Sequence, residues 1–251
     1  VTSTDTYQAD LLIENETISA ISAFLSPSKD DLVIEATNQY VFPGGVDVHA
    51  HLGWEFPNPD PKNDFLNETK AAAAGGITSV INFTQPKKGQ SLLDDLRDWK
   101  KKGESAFIDY GFHVIINEYE DRVLDELPIL ADREGITSIK LFMAYKDELM
   151  VNDREMYKIM KKAGECGLIT NVHAENGDII DEIIEEAIRN GDMSPIYHAK
   201  TRPAITEAEA TGRALAIAEA ANAPIYIVHV SCFEALQKVE EAKKRGVQAY
   251  A

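Results

Sequence analysis

Val46-Asp47-Val48-His49-Ala50-His51-Leu52 follows directly on Phe42-Pro43-Gly44-Gly45. The run is apolar and β-branched, with Pro and Gly at its edge, so it reads as a short buried strand. Side chains two residues apart share one face of a strand. His49 and His51 therefore point the same way. Two ordinary histidines satisfy the same pattern. What separates them from a metal-binding pair is whether later strands bring further ligands to the same end of the sheet.

Downstream, short apolar runs alternate with amphipathic stretches. The spacing predicts helices over 64–74 (Asp64 as cap), 91–102 (Ser91 as cap, Asp94 in the capping-box position), 121–133, 153–166, 178–189, 207–221 and 233–244. Strands are expected over 77–83, 110–116, 138–144, 168–174 and 224–230, with another beginning at 247. Near-continuously apolar strands alternating with helices indicate a parallel sheet covered by helices. Seven β-runs from residue 46 onward exceed what a small doubly wound domain needs, and a (β/α)8 barrel wants eight. The expected fold is α/β, a TIM (β/α)8 barrel over 46–251 lacking its last strands. With no initial Met either, the chain is expected to be a segment of a longer polypeptide.

Upstream, Asp10-Leu11-Leu12-Ile13-Glu14 leads through Asn15-Glu16 into the alternating run Thr17-Ile18-Ser19-Ala20-Ile21-Ser22-Ala23-Phe24, a hairpin signal. Leu32-Val33-Ile34-Glu35-Ala36 reads as another short strand. Residues 1–45 are too few to close a core alone, and are expected to be part of a small β domain.

The formal net charge of −17 argues against a nucleic-acid or anionic-membrane partner, which would need a basic patch. Cys166 and Cys232 make no disulfide framework and read as small buried hydrophobes, so a reducing cytoplasm is expected. No apolar run is long enough to span a bilayer, and the first residues lack the basic-then-apolar order of a secretory signal.

Function in such barrels sits at the C-terminal ends of strands. His49 and His51 close the first strand, His173 the fifth and His229 the sixth, so four of the six histidines fall where a metal site would be built. His113 lies mid-strand and reads as structural, and His198 as a loop or helix-orienting residue. Lys140 is out of place in the apolar run Ile139-Lys140-Leu141-Phe142-Met143. Lysine is rarely buried unless paired, and an ammonium cannot ligate a metal. One reading is a lysine that snorkels or pairs with a carboxylate. The other is an amine deprotonated by burial that has combined with carbon dioxide. The resulting carbamate is anionic and can bridge two cations, an arrangement that makes a nucleophile of water at neutral pH. Imidazole and carboxylate-like oxygens suit zinc.

The stretches Pro43-Gly44-Gly45-Val46-Asp47-Val48-His49-Ala50-His51-Leu52, Ile139-Lys140-Leu141-Phe142-Met143-Ala144-Tyr145-Lys146-Asp147, Val172-His173-Ala174-Glu175-Asn176-Gly177 and Tyr226-Ile227-Val228-His229-Val230-Ser231 resemble the hydantoinase/dihydropyrimidinase branch of the amidohydrolase superfamily. Ala73-Ala74-Gly75-Gly76-Ile77-Thr78 and Tyr197-His198-Ala199-Lys200-Thr201-Arg202-Pro203 resemble it too. The resemblance implies a TIM barrel beside a small N-terminal β-sandwich, with residues 1–45 forming part of that sandwich. It implies two zinc ions bridged by N6-carboxylysine at Lys140, with His49 and His51 on the more buried metal and His173 and His229 on the second. Tyr145 matches a tyrosine that hydrogen-bonds the substrate carbonyl, although taken alone it reads as a packed aromatic. The resemblance further implies an aspartate ligand on the eighth strand, beyond this chain, and a homotetramer.

The loop Gly53-Trp54-Glu55-Phe56-Pro57-Asn58-Pro59-Asp60-Pro61 departs from the commonest hydantoinase sequence. Trp54 and Phe56 could line the substrate pocket or simply pack the loop. Gly53-Trp54 also matches neither the arginine nor the Asn-Glu-Pro pattern of dihydroorotases and many allantoinases. The expected activity is metal-dependent hydrolysis of a cyclic amide or imide to an N-carbamoyl amino acid. The alternatives are an allantoinase- or dihydroorotase-type cyclic amidase and a non-catalytic scaffold of the same fold. The segment by itself is expected to associate through its open barrel edges.

Overall fold

The computed structural model describes residues 1–54 and 65–251. The chain divides into two units, Val1–Gly45 and Val46–Ala251. In the first, β1 (Asp10–Glu14) and β2 (Thr17–Ser22) pair antiparallel. The turn residues Asn15 and Glu16 both have positive φ, 49° and 63°. That is the backbone of a tight turn whose twist matches its strands. The run Leu32 to Ala36 is not a strand, against expectation. Its side chains stand in solvent, Leu32 at 89% and Ile34 at 80% exposure. β-branched composition favours an extended backbone, but a strand also needs a neighbour's ladder, and this unit gives the run none.

In the second unit the elements run β3 (Gly45–Ala50), α1 (Phe65–Ala74), β4 (Ile77–Phe83), α2 (Leu92–Gly103), β5 (Asp109–Ile115), α3 (Asp121–Asp132), β6 (Ser138–Phe142), α4 (Asp153–Glu165), β7 (Ile169–His173), α5 (Gly177–Arg189), α6 (Ile196–Lys200), α7 (Ala204–Ala221), β8 (Ile225–Ile227), α8 (Phe233–Lys244) and β9 (Ala249–Tyr250). The seven strands from β3 to β9 lie in chain order in one sheet, and the pairs from β4 onward are parallel. Sequential order throughout is the winding of a barrel. A doubly wound sheet reverses direction at a switch point. The fold is an incomplete TIM barrel, a curled parallel sheet covered by helices.

Strand parity separates stability from chemistry. Val114, Ile139, Leu141, Val172, Ile225 and Ile227 join the large core with Leu96, Trp99, Leu127, Leu130, Met156, Ile159 and Leu215 of the helices. Fully burying each such large side chain contributes roughly 1.5–3 kcal/mol. Residues of the opposite parity, among them His113, Ile115, Lys140, Phe142, Asn171 and His173, are buried on the other face of the sheet. There Phe83, Ile115 and Phe142 form a second, small apolar cluster.

Several boundaries differ from the sequence reading. The strand expected over 224–230 ends at Ile227, because His229 takes a left-handed backbone (φ 38°) that no strand accommodates. The strand expected over 138–144 ends at Phe142. Ser91 caps α2, but Asp94 does not complete a capping box: its carboxylate pairs with Arg97 at 2.7 Å. The Leu92 N–H is met instead by Glu126 of α3, at 2.7 Å. Helix α6 was not expected as a separate element. Cys166 and Cys232 are half-buried, not buried, and both are free thiols. The expected cap Asp64 lies outside the described residues. Among the described residues no helix is long and apolar enough to cross a membrane.

Candidate metal centre

Four imidazoles meet at one end of the sheet. His49 is in β3 and His51 one residue past it, His173 ends β7, and His229 lies two residues past β8. Their rings form a chain: His51 to His49 at 5.2 Å between centroids, His49 to His229 at 5.3 Å, and His229 to His173 at 4.7 Å. His173 Nδ1 stands 3.0 Å from His229 Nε2.

Lys140 reaches into the same place from β6. It is 1% exposed. Its Nζ lies 5.1 Å from the Phe83 ring centre and 4.9 Å from that of Phe142. The same rings pack on the histidines. Phe83 is 4.7 Å from His49 and 5.0 Å from His51, and Phe142 stacks on His173 at 5.5 Å. Among the described residues no carboxylate or other acceptor pairs with the Lys140 amine. This counts against the snorkelling or ion-paired lysine weighed from sequence. Burial holds the amine's pKa well below the ordinary lysine range. A neutral buried amine is a nucleophile toward carbon dioxide.

Buried polar groups hold the surroundings. Asn82 of β4 is fully buried, and its side chain accepts from Leu52 N at 2.7 Å and donates to Leu52 O at 3.2 Å. Gly53 N donates to Glu68 at 2.8 Å, and Trp54 Nε1 to Phe83 O at 2.9 Å. These contacts pin the backbone that leaves His51, and Trp54 rests on the His51 ring at 4.2 Å. His113 sits one layer away, joined to Ser138, to Asn171 at 3.2 Å and to Val48 O at 3.0 Å. These contacts tie together β3, β6 and β7.

Tyr145 stands beside this cluster, with its ring 5.1 Å from that of His173. Its φ is +64°, which a bulky residue adopts only where surrounding contacts enforce it, at a cost of about 1–3 kcal/mol. The Tyr145 carbonyl accepts from Leu149 N at 2.9 Å and Met150 N at 3.1 Å. Close by, Gly177 N donates to Met143 O at 3.2 Å, and a Cβ on Gly177 would lie 2.7 Å from Ala144 Cα. His229 is the second left-handed residue of the group. Strain of this kind gathers at functional sites. Phe56 lies outside the described residues.

Desolvation at this crowded end of the sheet, and next the charge of Lys140, pull the His49 pKa to about 3 and that of His51, which keeps an exposed edge, to about 4. Desolvation, followed by His173 and then Lys140, takes His229, exposed likewise, to about 4. Burial lowers His173 as well, against the pull of Glu175. At neutral pH every ring is uncharged and offers a nitrogen lone pair. The metal-free protein should therefore lose stability on acidification. Unfolded imidazoles take up protons near 6.5, whereas these folded rings resist until about 4 or 3, so the unfolded state binds more protons in that window and stability falls as pH drops through it. Urea unfolding at stepped pH reads this directly, and a flat profile between about 6.5 and 4 would contradict it.

The donor types suit divalent cations: four neutral imidazoles, and a buried amine that has no acceptor among the described residues and is able to become a carbamate. Among the described residues no group of three or more His, Cys, Asp or Glu side chains is placed to hold a metal ion by itself. The rings form a chain, and the buried Lys140 amine rests on the same two rings, Phe83 and Phe142, that pack on the histidines.

A family model described as the amidohydrolase family matches residues 40–249. The chain belongs to the amidohydrolase family. Within it, the similarity is to the hydantoinase and dihydropyrimidinase branch. A D-hydantoinase of Geobacillus stearothermophilus is 47% identical over all of this chain and 53% of the relative. A D-hydantoinase of Ralstonia pickettii is 44% identical over 100% of the chain and 54% of the relative. The crystal structure of a dihydropyrimidinase from Brevibacillus agri superposes with a TM-score of 0.94 at 45% identity, covering 100% of this chain and 54% of that one. The chain spans about half the length of the curated relatives it matches.

Some residues that shape this amidohydrolase site escaped the sequence reading. Asn82 showed only as a polar residue inside an apolar strand. Glu175 and Arg202 lay within quoted motifs without an assigned role. Glu68 gave no sign, because its partner, the Gly53 N–H, is backbone.

Proposed function

We propose that the protein carrying this chain hydrolyses a cyclic amide or imide ring of the hydantoin or dihydropyrimidine type to an N-carbamoyl amino acid. The observation that carries the reading is the convergence of Lys140 and four imidazoles at one end of the sheet. His49, His51, His173 and His229, with Lys140 as N6-carboxylysine, would hold two zinc or similar divalent ions. Such cations supply Lewis-acid polarisation of a carbonyl and a water nucleophile at neutral pH.

The chain's own residues do the rest. Lys140 loses a proton as it combines with carbon dioxide, giving an anionic carbamate at a position that no carboxylate among the described residues reaches. The phenol of Tyr145, kept protonated by burial and by Glu175, donates to the ring carbonyl oxygen as it gains charge. Trp54, which rests on the His51 ring, lines the substrate side. Water adds at the ring carbonyl carbon, the carbon–nitrogen bond breaks, and the proton passes to the leaving nitrogen.

Names among the relatives support the ring type, and the filled ligand positions disfavour a scaffold. By resemblance the protein is a homotetramer. Its two free thiols suit a reducing cytoplasm. The test is to supply the protein with zinc and bicarbonate and follow opening of hydantoin and dihydrouracil. N-carbamoyl product is expected from at least one. Zinc-loaded protein that opens neither ring would overturn the proposal.

A further inference from the structure

We propose that Glu175 is a positioning residue that fixes the tautomer of His173, so that the Nδ1 lone pair faces His229. Its functional consequence rests on the metal-centre reading above, while its geometry does not. Glu175 Oε2 lies 2.7 Å from His173 Nε2. On the far side of the ring, Nδ1 is the atom 3.0 Å from His229 Nε2. A neutral imidazole carries one N–H, and an ionised carboxylate only accepts. The pairing therefore places the proton on Nε2 and leaves Nδ1 unprotonated. In the other tautomer a nitrogen lone pair would face a carboxylate oxygen at the same distance, which is repulsive. His173 thus offers a chosen nitrogen toward its neighbour, and the ring plane is held.

Glu175 is itself held. Its second oxygen stands 3.9 Å from Arg202 Nε, and both side chains are mostly buried. Arg202 is anchored in turn, donating through Nη1 to His198 O, inside α6, at 3.1 Å. Helix α6 and the turn after it, which the catalytic account otherwise leaves without a task, thereby connect to the ring that ends β7. A carboxylate behind a ligating imidazole sets its orientation and raises its basicity, and removing such a partner typically lowers metal affinity about 10–100-fold.

The experiment uses Glu175→Ala and Glu175→Gln in the whole protein. Nitrogen-15 NMR of histidine-labelled, metal-free protein reads the His173 tautomer, and competition against a chelator reads zinc affinity. The parent protein should show His173 protonated on Nε2. Glu175→Ala should lose that preference and bind zinc about 10–100-fold more weakly, with the metal-free melting temperature little changed. Glu175→Gln, whose amide oxygen still accepts, should keep the tautomer and lose less affinity. If the alanine variant fails to fold, the parent protein still decides the matter, since a His173 protonated on Nδ1 there refutes the assignment. An unchanged tautomer in folded Glu175→Ala overturns the proposal, as does unchanged affinity in protein that binds zinc. A parent protein that binds no zinc would instead overturn the metal-centre reading, and the tautomer would still decide the role of Glu175.

Discussion

Lys140→Ala is expected to abolish cation uptake at the paired site and reduce ring opening by at least roughly a thousand-fold, since water acidified from a pKa of ~15.7 to ~7 is no longer available. The alanine leaves a space lined by Phe83 and Phe142, and a short carboxylic acid such as acetate can enter it. Added acetate or propionate should therefore restore part of the activity, by supplying the anion the lysine carbamate would have provided. Lys140→Met fills the same space and should not be rescued. A buried amine with no acceptor among the described residues also destabilises the metal-free fold. The methionine variant should accordingly melt higher without metal, by about 2–4 °C for each kcal/mol recovered. Steady-state kinetics with and without acetate, metal analysis and thermal melts check all three. Activity equal to the parent's in both variants would remove Lys140 from the site.

Tyr145→Phe is expected to lower kcat by about 10²–10³-fold, the usual loss for one donor to a developing oxyanion. KM should move little, because the contact strengthens only as charge develops. Stability should hardly change, since the ring, its packing on His173 and its left-handed backbone all remain. Burial and Glu175 raise the phenol's pKa, so the donor is present throughout the neutral range and the effect should not depend on pH there. Steady-state kinetics separate this from a packing role, for which a kcat loss under about 3-fold would be the sign.

Much of the fold could be read because its signals are local. Ile77–Phe83 and Phe233–Lys244 came out at their expected limits, being bounded by Gly-Gly and by a clean change of periodicity. The grouping of histidines was legible for a related reason: in a parallel barrel, strand ends share one face, so position along each strand predicts proximity. What could not be read depends on partners distant in sequence. The run Leu32 to Ala36 has strand composition and no ladder. His229 looks like a strand residue until its backbone turns left-handed. Asn82 clamps Leu52 across thirty residues, and Glu126 serves the start of a helix that Asp94 was expected to serve. The lysine was conspicuous in sequence as a charge among apolar residues. That it lies between two phenylalanines which also carry the histidines is a tertiary fact.

The central claim is a carboxylated Lys140 lying between two cations held by His49, His51, His173 and His229. A crystal structure of the protein grown with zinc and bicarbonate, read at position 140, tests it most directly. The expected result is density for a carboxyl group on Nζ, with two cations about 2.0–2.2 Å from its oxygens and from the ring nitrogens. A bare amine at Lys140, with no cation on any of the four rings, would contradict it.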